Sequence, residues 1–258
     1  MGKVYIVGAG PGDPELITIK ALKCIQQADV ILYDRLVNKE LLDHSKSFVE
    51  LVYCGKSPNN HTWKQETINQ LLIKYASSGK IVTRLKGGDP FIFGRGGEEA
   101  EILAKNGIQY EIVPGITAGI AAPAYAGIPV THRDVSSSFA VVTGHKNNGE
   151  PKDIDWESLA NGVDTLAIYM GIKNLPYICR QLIKHHRNPH TPVAIIHKGT
   201  TSNQQTITGT LLTIVDKMKK ATIRNPSMIV VGEVVHFHEK LSQFTEQPPT
   251  PNVHEAFV

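Results

Sequence analysis

The sequence predicts an α/β protein of two domains, with a mostly parallel sheet in the N-terminal domain and a mixed sheet in the C-terminal domain. In the first half, strand-like apolar segments alternate with helical segments, a pattern typical of a parallel sheet covered by helices. In the second half, strand-like segments follow one another around Gly199, which favours antiparallel neighbours. A chain of 258 residues suffices for two modest domains. Ligands often bind in the cleft between two domains, so we expect the binding site there.

The predicted strands are short apolar runs rich in β-branched residues. A segment with proline and glycine at residues 122–134 separates two sets of strands. We therefore place an N-terminal domain at residues 1–122, a C-terminal domain at 123–246 and a flexible tail containing prolines at 247–258. The strands are predicted at residues 4–7, 30–33, 48–52, 81–85 and 110–113, and then at 139–143, 165–170, 193–197, 205–208 and 228–235.

The composition is ordinary for a soluble globular protein, with 41% hydrophobic and 20% charged residues. A net charge of +3 is too small for a nucleic-acid-binding surface but is compatible with an anionic small molecule. The first predicted strand begins too close to Met1 to leave room for a signal peptide, so we expect a cytoplasmic protein. The uncharged run at residues 112–131 contains three prolines and three glycines, which favours a buried loop and a short helix over a membrane span.

Cysteine and histidine spacing gives no sign of a metal site. Cys24, Cys54 and Cys179 are far apart and form no CxxC pair, so each is expected to be a small buried apolar residue. The eleven histidines include no HExxH pattern. We therefore expect no bound metal.

A glycine-rich loop, GAGPGDP from Gly8 to Pro14, follows the first predicted strand. Counted from Gly8, a dinucleotide-binding fingerprint would need a third glycine where Asp13 stands, and Pro11 stiffens the loop. A phosphate cradle is therefore not expected. Two interpretations remain open: a pre-shaped loop that offers backbone groups to a neutral or cationic ligand, or a rigid surface turn.

A second glycine-rich segment, RLKGGDPFIFGRGGEE at residues 84–99, favours a binding site. It contains two glycine turns, which allow close approach of the backbone to a ligand, on either side of the apolar run Phe91-Ile92-Phe93. Ordinary strand-to-helix connections are short and polar, so three apolar residues here are unusual. Glu98 and Glu99 fall where a helix is expected to begin, favoured by the helix dipole.

Two further charged residues follow predicted strands at the same edge of the first sheet. Asp34 is suited to act as a base or to clamp a ligand, although an Asp-Arg pair is more often a solvated ion pair or a helix cap. Lys56 follows the third strand, where an isolated lysine is usually just exposed. From the residues alone, a functional role and an ordinary surface role both remain open for Asp34 and for Lys56.

Nine segments stand in order along roughly residues 3–240: GAGPGDPELIT, YDRLV, CGK, RLKGGDPFIFGRGGEE, VPGITAG, GIPVTHRD, VTGH, YMG and KGTTSNQQ. With these segments the chain resembles the uroporphyrinogen-III C-methyltransferases of the tetrapyrrole (class III) methyltransferase superfamily. The first glycine loop carries the general superfamily signal, whereas the long segment at 84–99 and THRD are similar to the uroporphyrinogen-specific branch.

This resemblance implies the tetrapyrrole methylase fold, in which two α/β domains hold S-adenosyl-L-methionine in a cleft, and a homodimer. The implied reaction transfers two methyl groups to uroporphyrinogen III, giving precorrin-2 by way of precorrin-1 and leaving S-adenosyl-L-homocysteine. Precorrin-2 serves sirohaem and cobalamin biosynthesis. A sulfonium donor is already electrophilic, so the protein needs to align donor and ring carbon and remove a proton, without a metal.

The resemblance also assigns site residues. Asp34 and Lys56 match positions described as proton acceptor and proton donor, and Arg95 with Glu98 is an alternative catalytic pair. The eight carboxylates of the substrate suit arginine, so Arg95 and Arg133 are expected to bind them. Glu98 is expected to engage pyrrole N–H groups of the substrate, and Met170 to lie against both substrate and cofactor. The expected cofactor-binding residues are Pro11, Gly87, Gly88, Asp89, Ile92, Thr117, Ala118, Met170 and Gly199.

Two rival functions remain. The chain is also compatible with a sister methyltransferase acting on a later precorrin, on diphthine or on ribosomal RNA, although the basic, aromatic-rich surface that RNA would require is missing. A non-catalytic tetrapyrrole carrier would use the same arginines, but it would have no need of glycine loops that hold a methyl donor.

Overall fold

The computed structural model describes residues 2–55, 64–145, 151 and 153–242. The chain divides into two compact units, residues 1–118 and 119–258, four residues before the predicted boundary. The tail predicted at 247–258 lies outside the described residues, as does Lys56.

The first unit contains the predicted parallel sheet. Its five strands are all parallel and lie in the order β3-β2-β4-β1-β5. Three helices connect them, with two short 3-10 helices at Pro14–Leu16 and Lys39–His44. The strands are β1 (Lys3–Gly8), β2 (Val30–Tyr33), β3 (Glu50–Tyr53), β4 (Ile81–Lys86) and β5 (Gln109–Val113), and the helices are α1 (Ile19–Gln27), α2 (Gln65–Ser77) and α3 (Gly96–Lys105).

Helices cover both faces of this sheet. On one face, Ile25 of α1 packs in a cluster with Val7 and Ile31, and on the other, Leu72 of α2 and Leu103 of α3 pack with neighbouring strand residues. Consecutive residues of a strand point to opposite faces of the sheet. Because helices cover both faces here, two neighbouring residues of a strand are usually both apolar. Burial on both faces explains why these strands read as continuous apolar runs.

The strand order places a topological switch point between β1 and β4. The chain leaving β1 passes through α1 on one face of the sheet, whereas the chain leaving the adjacent β4 passes through α3 on the other. Connections that depart in opposite directions leave a crevice at the carboxyl ends of the two strands. The two glycine-rich segments recognised in the sequence begin at that point.

The second unit contains the predicted mixed sheet, in the order β6-β7-β10-β8-β9. Only β6 and β7 are parallel, and the other neighbours are antiparallel. Two further 3-10 helices lie at Ile172–Asn174 and Glu233–His236. The strands are β6 (Phe139–Thr143), β7 (Thr165–Tyr169), β8 (Pro192–His197), β9 (Gln205–Thr210) and β10 (Ser227–Val231), and the helices are α4 (Ala118–Tyr125), α5 (Trp156–Gly162), α6 (Leu175–Lys184), α7 (Ile214–Lys220) and α8 (Phe237–Leu241).

The last predicted strand was too long. Its sequence, residues 228–235, is continuously apolar apart from Gly232 and Glu233, but the strand ends at Val231. Gly232 has φ +147°, and the chain then turns into a 3-10 helix in which Val235 N donates to Gly232 O. Buried apolar residues continue through both elements, so the pattern alone does not show where the strand stops.

The uncharged run at 112–131 forms the end of β5, a loop and the eight-residue helix α4, which confirms the predicted loop and short helix. The loop before α4 is not buried as predicted, because Pro114 and Ile116 are exposed. Throughout the described ranges, every helix is too short or too polar to cross a membrane.

Candidate active site

The loops after β1 and β4 pair with each other at the switch point. Gly10 N donates to Gly88 O at 3.2 Å, and Gly88 N donates to Gly10 O at 2.7 Å. Both glycines have left-handed φ values, +80° for Gly10 and +69° for Gly88, which side chains rarely adopt. The crevice is therefore lined by two linked stretches of nearly bare backbone.

The loop after β5 packs against the same two loops. A Cβ atom on Gly8 would lie 2.6 Å from Gly115 Cα and 2.6 Å from Gly88 O, so only glycine fits at position 8. Thr117 Cα lies 4.0 Å from the place that a Cβ on Gly88 would occupy. Three loops from three strands thus meet backbone to backbone, which brings Gly87, Gly88 and Thr117 together.

We expect Gly8→Ala to lower the free energy of unfolding by about 1–3 kcal/mol, because the added methyl group meets rigid backbone on two sides. Urea-induced unfolding measures this change. Gly97→Ala is the matched control, since a Cβ on Gly97 would have no neighbour within 4 Å. Equal free energies of unfolding of the two variants would show that the three loops move apart to accommodate the methyl group without loss of stability.

Asp89 ties the loop after β4 to the loop after β5. One carboxylate oxygen accepts a hydrogen bond from Phe91 N at 2.8 Å, and the other accepts one from Gly115 N at 3.0 Å. Each oxygen keeps a second lone pair, so a ligand hydroxyl or amino group can still donate to it. Asp89 therefore shapes the loop and can still accept a hydrogen bond from a ligand.

The apolar run after Asp89 is exposed. Phe91, Ile92 and Phe93 keep 56%, 37% and 43% of their surface in contact with solvent. Phe93 and Arg95 both have left-handed backbone, with φ values of 53° and 59°. Such conformations carry strain in residues other than glycine, and they cluster at functional sites. The run forms an exposed apolar surface beside the glycine loops.

Arg95 and Glu98 form a two-point ion pair at the start of α3. Arg95 Nε donates to Glu98 Oε1 at 2.9 Å, and a terminal nitrogen donates to Oε2 at 2.7 Å. Both side chains are more than half exposed. The hydrogen bonds from Arg95 lower the pKa of Glu98, which makes its carboxylate a weak base. The pairing favours Glu98 as a residue that orients Arg95 rather than as a proton acceptor.

Asp34 follows β2 and faces two buried cations from β4. Arg84 donates from a terminal nitrogen to Asp34 Oδ1 at 2.6 Å, and Lys86 Nζ lies 3.7 Å from Oδ2. Behind these cations, Glu99 Oε1 accepts from Arg84 Nε at 3.1 Å and from Lys86 Nζ at 2.9 Å. Arg84, Lys86 and Glu99 are each at most 3% exposed, whereas the Asp34 side chain is 31% exposed. Asp34 is the one member of this group that solvent reaches freely.

Arg84 stays charged in this setting. Burial alone would lower the pKa of its guanidinium, but the adjacent carboxylates of Glu99 and Asp34 raise that pKa above its ordinary value. The group therefore contains two cations and two carboxylates. Arg84 fixes one oxygen of the Asp34 carboxylate, and Lys86 faces the other.

Sequence reasoning missed Arg84, Lys86 and Glu99 as members of this site. Arg84 was included in an apolar strand, and Glu99 was interpreted only as a residue at the start of a helix. The signal was the spacing of Arg84 and Lys86, because residues two apart in a strand share one face and cations are rare on a buried face. The carboxylates that these two cations contact, however, became visible only in the fold.

The second unit holds three more of the predicted residues. Met170 follows β7 with a left-handed φ of 55° and 45% exposure. Gly199 lies between two left-handed residues, and a Cβ on it would lie 2.5 Å from that of Ala122. Arg133 is exposed, in the turn that His132 N closes by donating to Ser136 O. Left-handed backbone at Met170, Lys198 and Thr200 carries strain, and such strained residues often cluster at functional sites.

Of the remaining predicted residues, Pro11 lies in the loop after β1, and Ala118 begins α4. In the described part of the chain, the His, Cys, Asp and Glu side chains form no group of three or more that could hold a metal ion.

Comparison with known proteins identifies close relatives. The family model for tetrapyrrole (corrin/porphyrin) methylases matches residues 3–215. The uroporphyrinogen-III C-methyltransferase of Priestia megaterium is 69% identical over 237 residues, which cover 92% of this chain and 100% of that protein. The siroheme synthase of Methylobacillus flagellatus is 50% identical over 96% of this chain and 53% of its own length.

A solved structure is also similar. The crystal structure of uroporphyrin-III C-methyl transferase from Thermus thermophilus, complexed with S-adenyl homocysteine, has a TM-score of 0.77 and 37% sequence identity. The match covers 91% of this chain and 93% of that one.

Proposed function

Because the chain belongs to the tetrapyrrole (corrin/porphyrin) methylase family, we propose that it transfers two methyl groups to carbon atoms of uroporphyrinogen III, giving precorrin-2 by way of precorrin-1. It is an S-adenosyl-L-methionine-dependent uroporphyrinogen-III C-methyltransferase that serves sirohaem and cobalamin biosynthesis. The observation that carries this conclusion is 69% identity along the whole length of the Priestia megaterium enzyme.

The paired glycine loops suit S-adenosyl-L-methionine, which supplies an electrophilic methyl group when bound. Bare backbone at Gly10 and Gly88 leaves peptide groups accessible, and Asp89 can accept hydrogen bonds from ligand hydroxyl or amino groups. The residues proposed to bind the cofactor in the first unit are Pro11, Gly87, Gly88, Asp89, Ile92, Thr117 and Ala118, and those in the second unit are Met170 and Gly199.

Uroporphyrinogen III presents eight carboxylates on a flexible, non-aromatic macrocycle. Guanidinium groups form two-point contacts with carboxylates, so Arg95 and Arg133, both exposed, are the proposed substrate-binding cations. Glu98 holds Arg95 in one orientation. Met170 is proposed to contact the substrate as well, since its exposed thioether can adapt to an apolar ring.

Formation of each new carbon–carbon bond requires the macrocycle to lose a proton. Asp34 is the proposed acceptor, because its carboxylate is 31% exposed and Arg84 holds it in one orientation. Lys56, which lies outside the described residues, stays a proposed proton donor. Arg95 and Glu98 stay the alternative pair, although the low pKa of Glu98 weakens its case as an acceptor.

Three finer features complete the proposal. The enzyme acts as a homodimer in the cytoplasm, as the family resemblance implies, and it binds no nucleic acid, which its net charge of +3 supports. Size-exclusion chromatography with light scattering tests the dimer, since a mass near 28.3 kDa would contradict it.

Anaerobic incubation with uroporphyrinogen III and methyl-labelled S-adenosyl-L-methionine tests the proposed reaction. We expect label transfer and a tetrapyrrole mass increased by two methyl groups. Binding of the methyl donor without transfer to this substrate would move the function to a sister methyltransferase. Tetrapyrrole binding without any methyl transfer would instead indicate a carrier.

A further inference from the structure

Among the described residues of the first unit, Glu99 is the most deeply buried charge, and no part of the proposed reaction yet uses it. Its side chain is completely buried in α3, and its Oε1 atom accepts hydrogen bonds from three donors. The donors are Arg84 Nε at 3.1 Å, Lys86 Nζ at 2.9 Å and Gln65 Nε2 at 3.0 Å. Its Oε2 atom is buried and has no hydrogen-bond partner among the residues that the structure describes.

This arrangement is a poor choice for stability alone. Buried ion pairs cost free energy because each charge loses its water, and well-packed apolar residues often replace them without loss. An unpartnered buried oxygen adds a further penalty. Three buried ionisable side chains and one orphaned oxygen therefore need a reason beyond packing.

The reason lies in what these residues face. Arg84 and Lys86 each lie between Glu99 and Asp34, since Arg84 contacts both carboxylates and Lys86 Nζ lies 2.9 Å from one and 3.7 Å from the other. Without Glu99, two cations would act on Asp34 alone. Two uncompensated cations would favour its ionised form so strongly that the carboxylate would become a weak base.

We propose that Glu99 is a positioning residue that balances the charge of Arg84 and Lys86, and thereby keeps Asp34 basic enough to accept the proton released by methyl transfer. The inference rests on the proposed function, because it assigns Glu99 to the same proton transfer. Glu99 does not touch the reacting atoms; it acts through the two cations.

Other groups near Asp34 leave this balance unchanged. Cys54, which follows β3, is buried, and burial raises the pKa of its thiol to about 11, so it is uncharged at neutral pH. Gln65 of α2 contributes a neutral amide. Among the described residues around Asp34, the charges that face it are therefore Arg84 and Lys86 from β4, with Glu99 of α3 behind them.

The test is a double-mutant cycle on Glu99 and Lys86, followed through the pH dependence of methyl transfer to uroporphyrinogen III. Glu99→Gln removes a negative charge while keeping the shape of the side chain. We expect turnover to fall about tenfold, and the acid limb of the pH–rate profile to move to lower pH by about one unit. Lys86→Met removes one cation and should move that limb to higher pH.

The double variant, Glu99→Gln with Lys86→Met, removes one charge of each sign, so its acid limb should return towards that of the wild-type enzyme. A residue that only supports the fold would instead lower stability, non-additively for this contacting pair, and would leave the acid limb unmoved. Affinity for S-adenosyl-L-homocysteine, measured by calorimetry, should stay within about twofold of wild type in each variant because neither residue is proposed to bind the cofactor.

The inference is overturned if a single variant binds the cofactor as wild type does and its acid limb does not move. Either single variant is sufficient for this test if the other does not fold. Failure of the proposed function would look different. In that case, the wild-type enzyme itself would transfer no methyl group to uroporphyrinogen III, and the role of Glu99 in this reaction would fall with it.

Discussion

Asp34→Asn is expected to lower kcat about 100- to 10,000-fold, the range that a positioned general base contributes. Asparagine keeps the shape of the side chain, but its amide does not accept a proton at neutral pH. The substitution also removes the negative charge that faces Arg84 and Lys86, so the position loses both its base and its charge. Single-turnover methyl transfer, followed by mass spectrometry of the tetrapyrrole, measures the effect.

The control for this variant separates chemistry from folding. Affinity for S-adenosyl-L-homocysteine should stay near that of wild type, because Asp34 lies outside the paired glycine loops. Asp43→Asn makes the same chemical change at an exposed position of the 3-10 helix Lys39–His44 and should leave kcat unaltered. A kcat for Asp34→Asn within tenfold of wild type would remove Asp34 as the acceptor and favour another group.

Arg95→Ala is expected to lower kcat/KM for uroporphyrinogen III about 100-fold, which corresponds to the loss of a charge-assisted two-point contact with a substrate carboxylate. Arg95 is exposed, its backbone is left-handed, and Glu98 holds its guanidinium from one side. Affinity for the methyl donor should change little. Steady-state kinetics with varied tetrapyrrole measure kcat/KM.

Two companion variants sharpen this prediction. Arg95→Lys keeps the charge but loses the planar fork, so it should recover only part of kcat/KM. Arg180→Ala removes an exposed arginine from α6 and should leave kcat/KM unaltered. If Arg95→Ala behaved like Arg180→Ala, the substrate carboxylates would have to be bound elsewhere, with Arg133 as the next candidate.

Most of the fold was predictable because its signals are local. The β-branched runs marked the ten strands found in the described residues, and two of them, Val30–Tyr33 and Phe139–Thr143, have the predicted bounds. Glycine and proline marked the turns and excluded a membrane span. The error at residues 228–235 arose where a buried 3-10 helix continued an apolar strand, because burial imposes the same composition on both.

The candidate site could be predicted from the sequence where its residues lie close together in one segment. The segment at 84–99 carries its own turns, its exposed apolar run and the Arg95–Glu98 pair, which are three residues apart on one helix turn. The left-handed backbone of Met170 was not predictable, since methionine carries no preference for that conformation.

By itself, the sequence determined the strands, the glycine loops and the family, since each depends on residues that are neighbours along the chain. Only the tertiary structure decided the charge group around Asp34. Asp34, Arg84 and Glu99 are separated by 50 and 15 residues, and they meet because β2 pairs with β4 in a register that sets Leu32 opposite Arg84. Strand order and register follow from packing of the whole unit, so no local pattern reveals which buried charges will share a site.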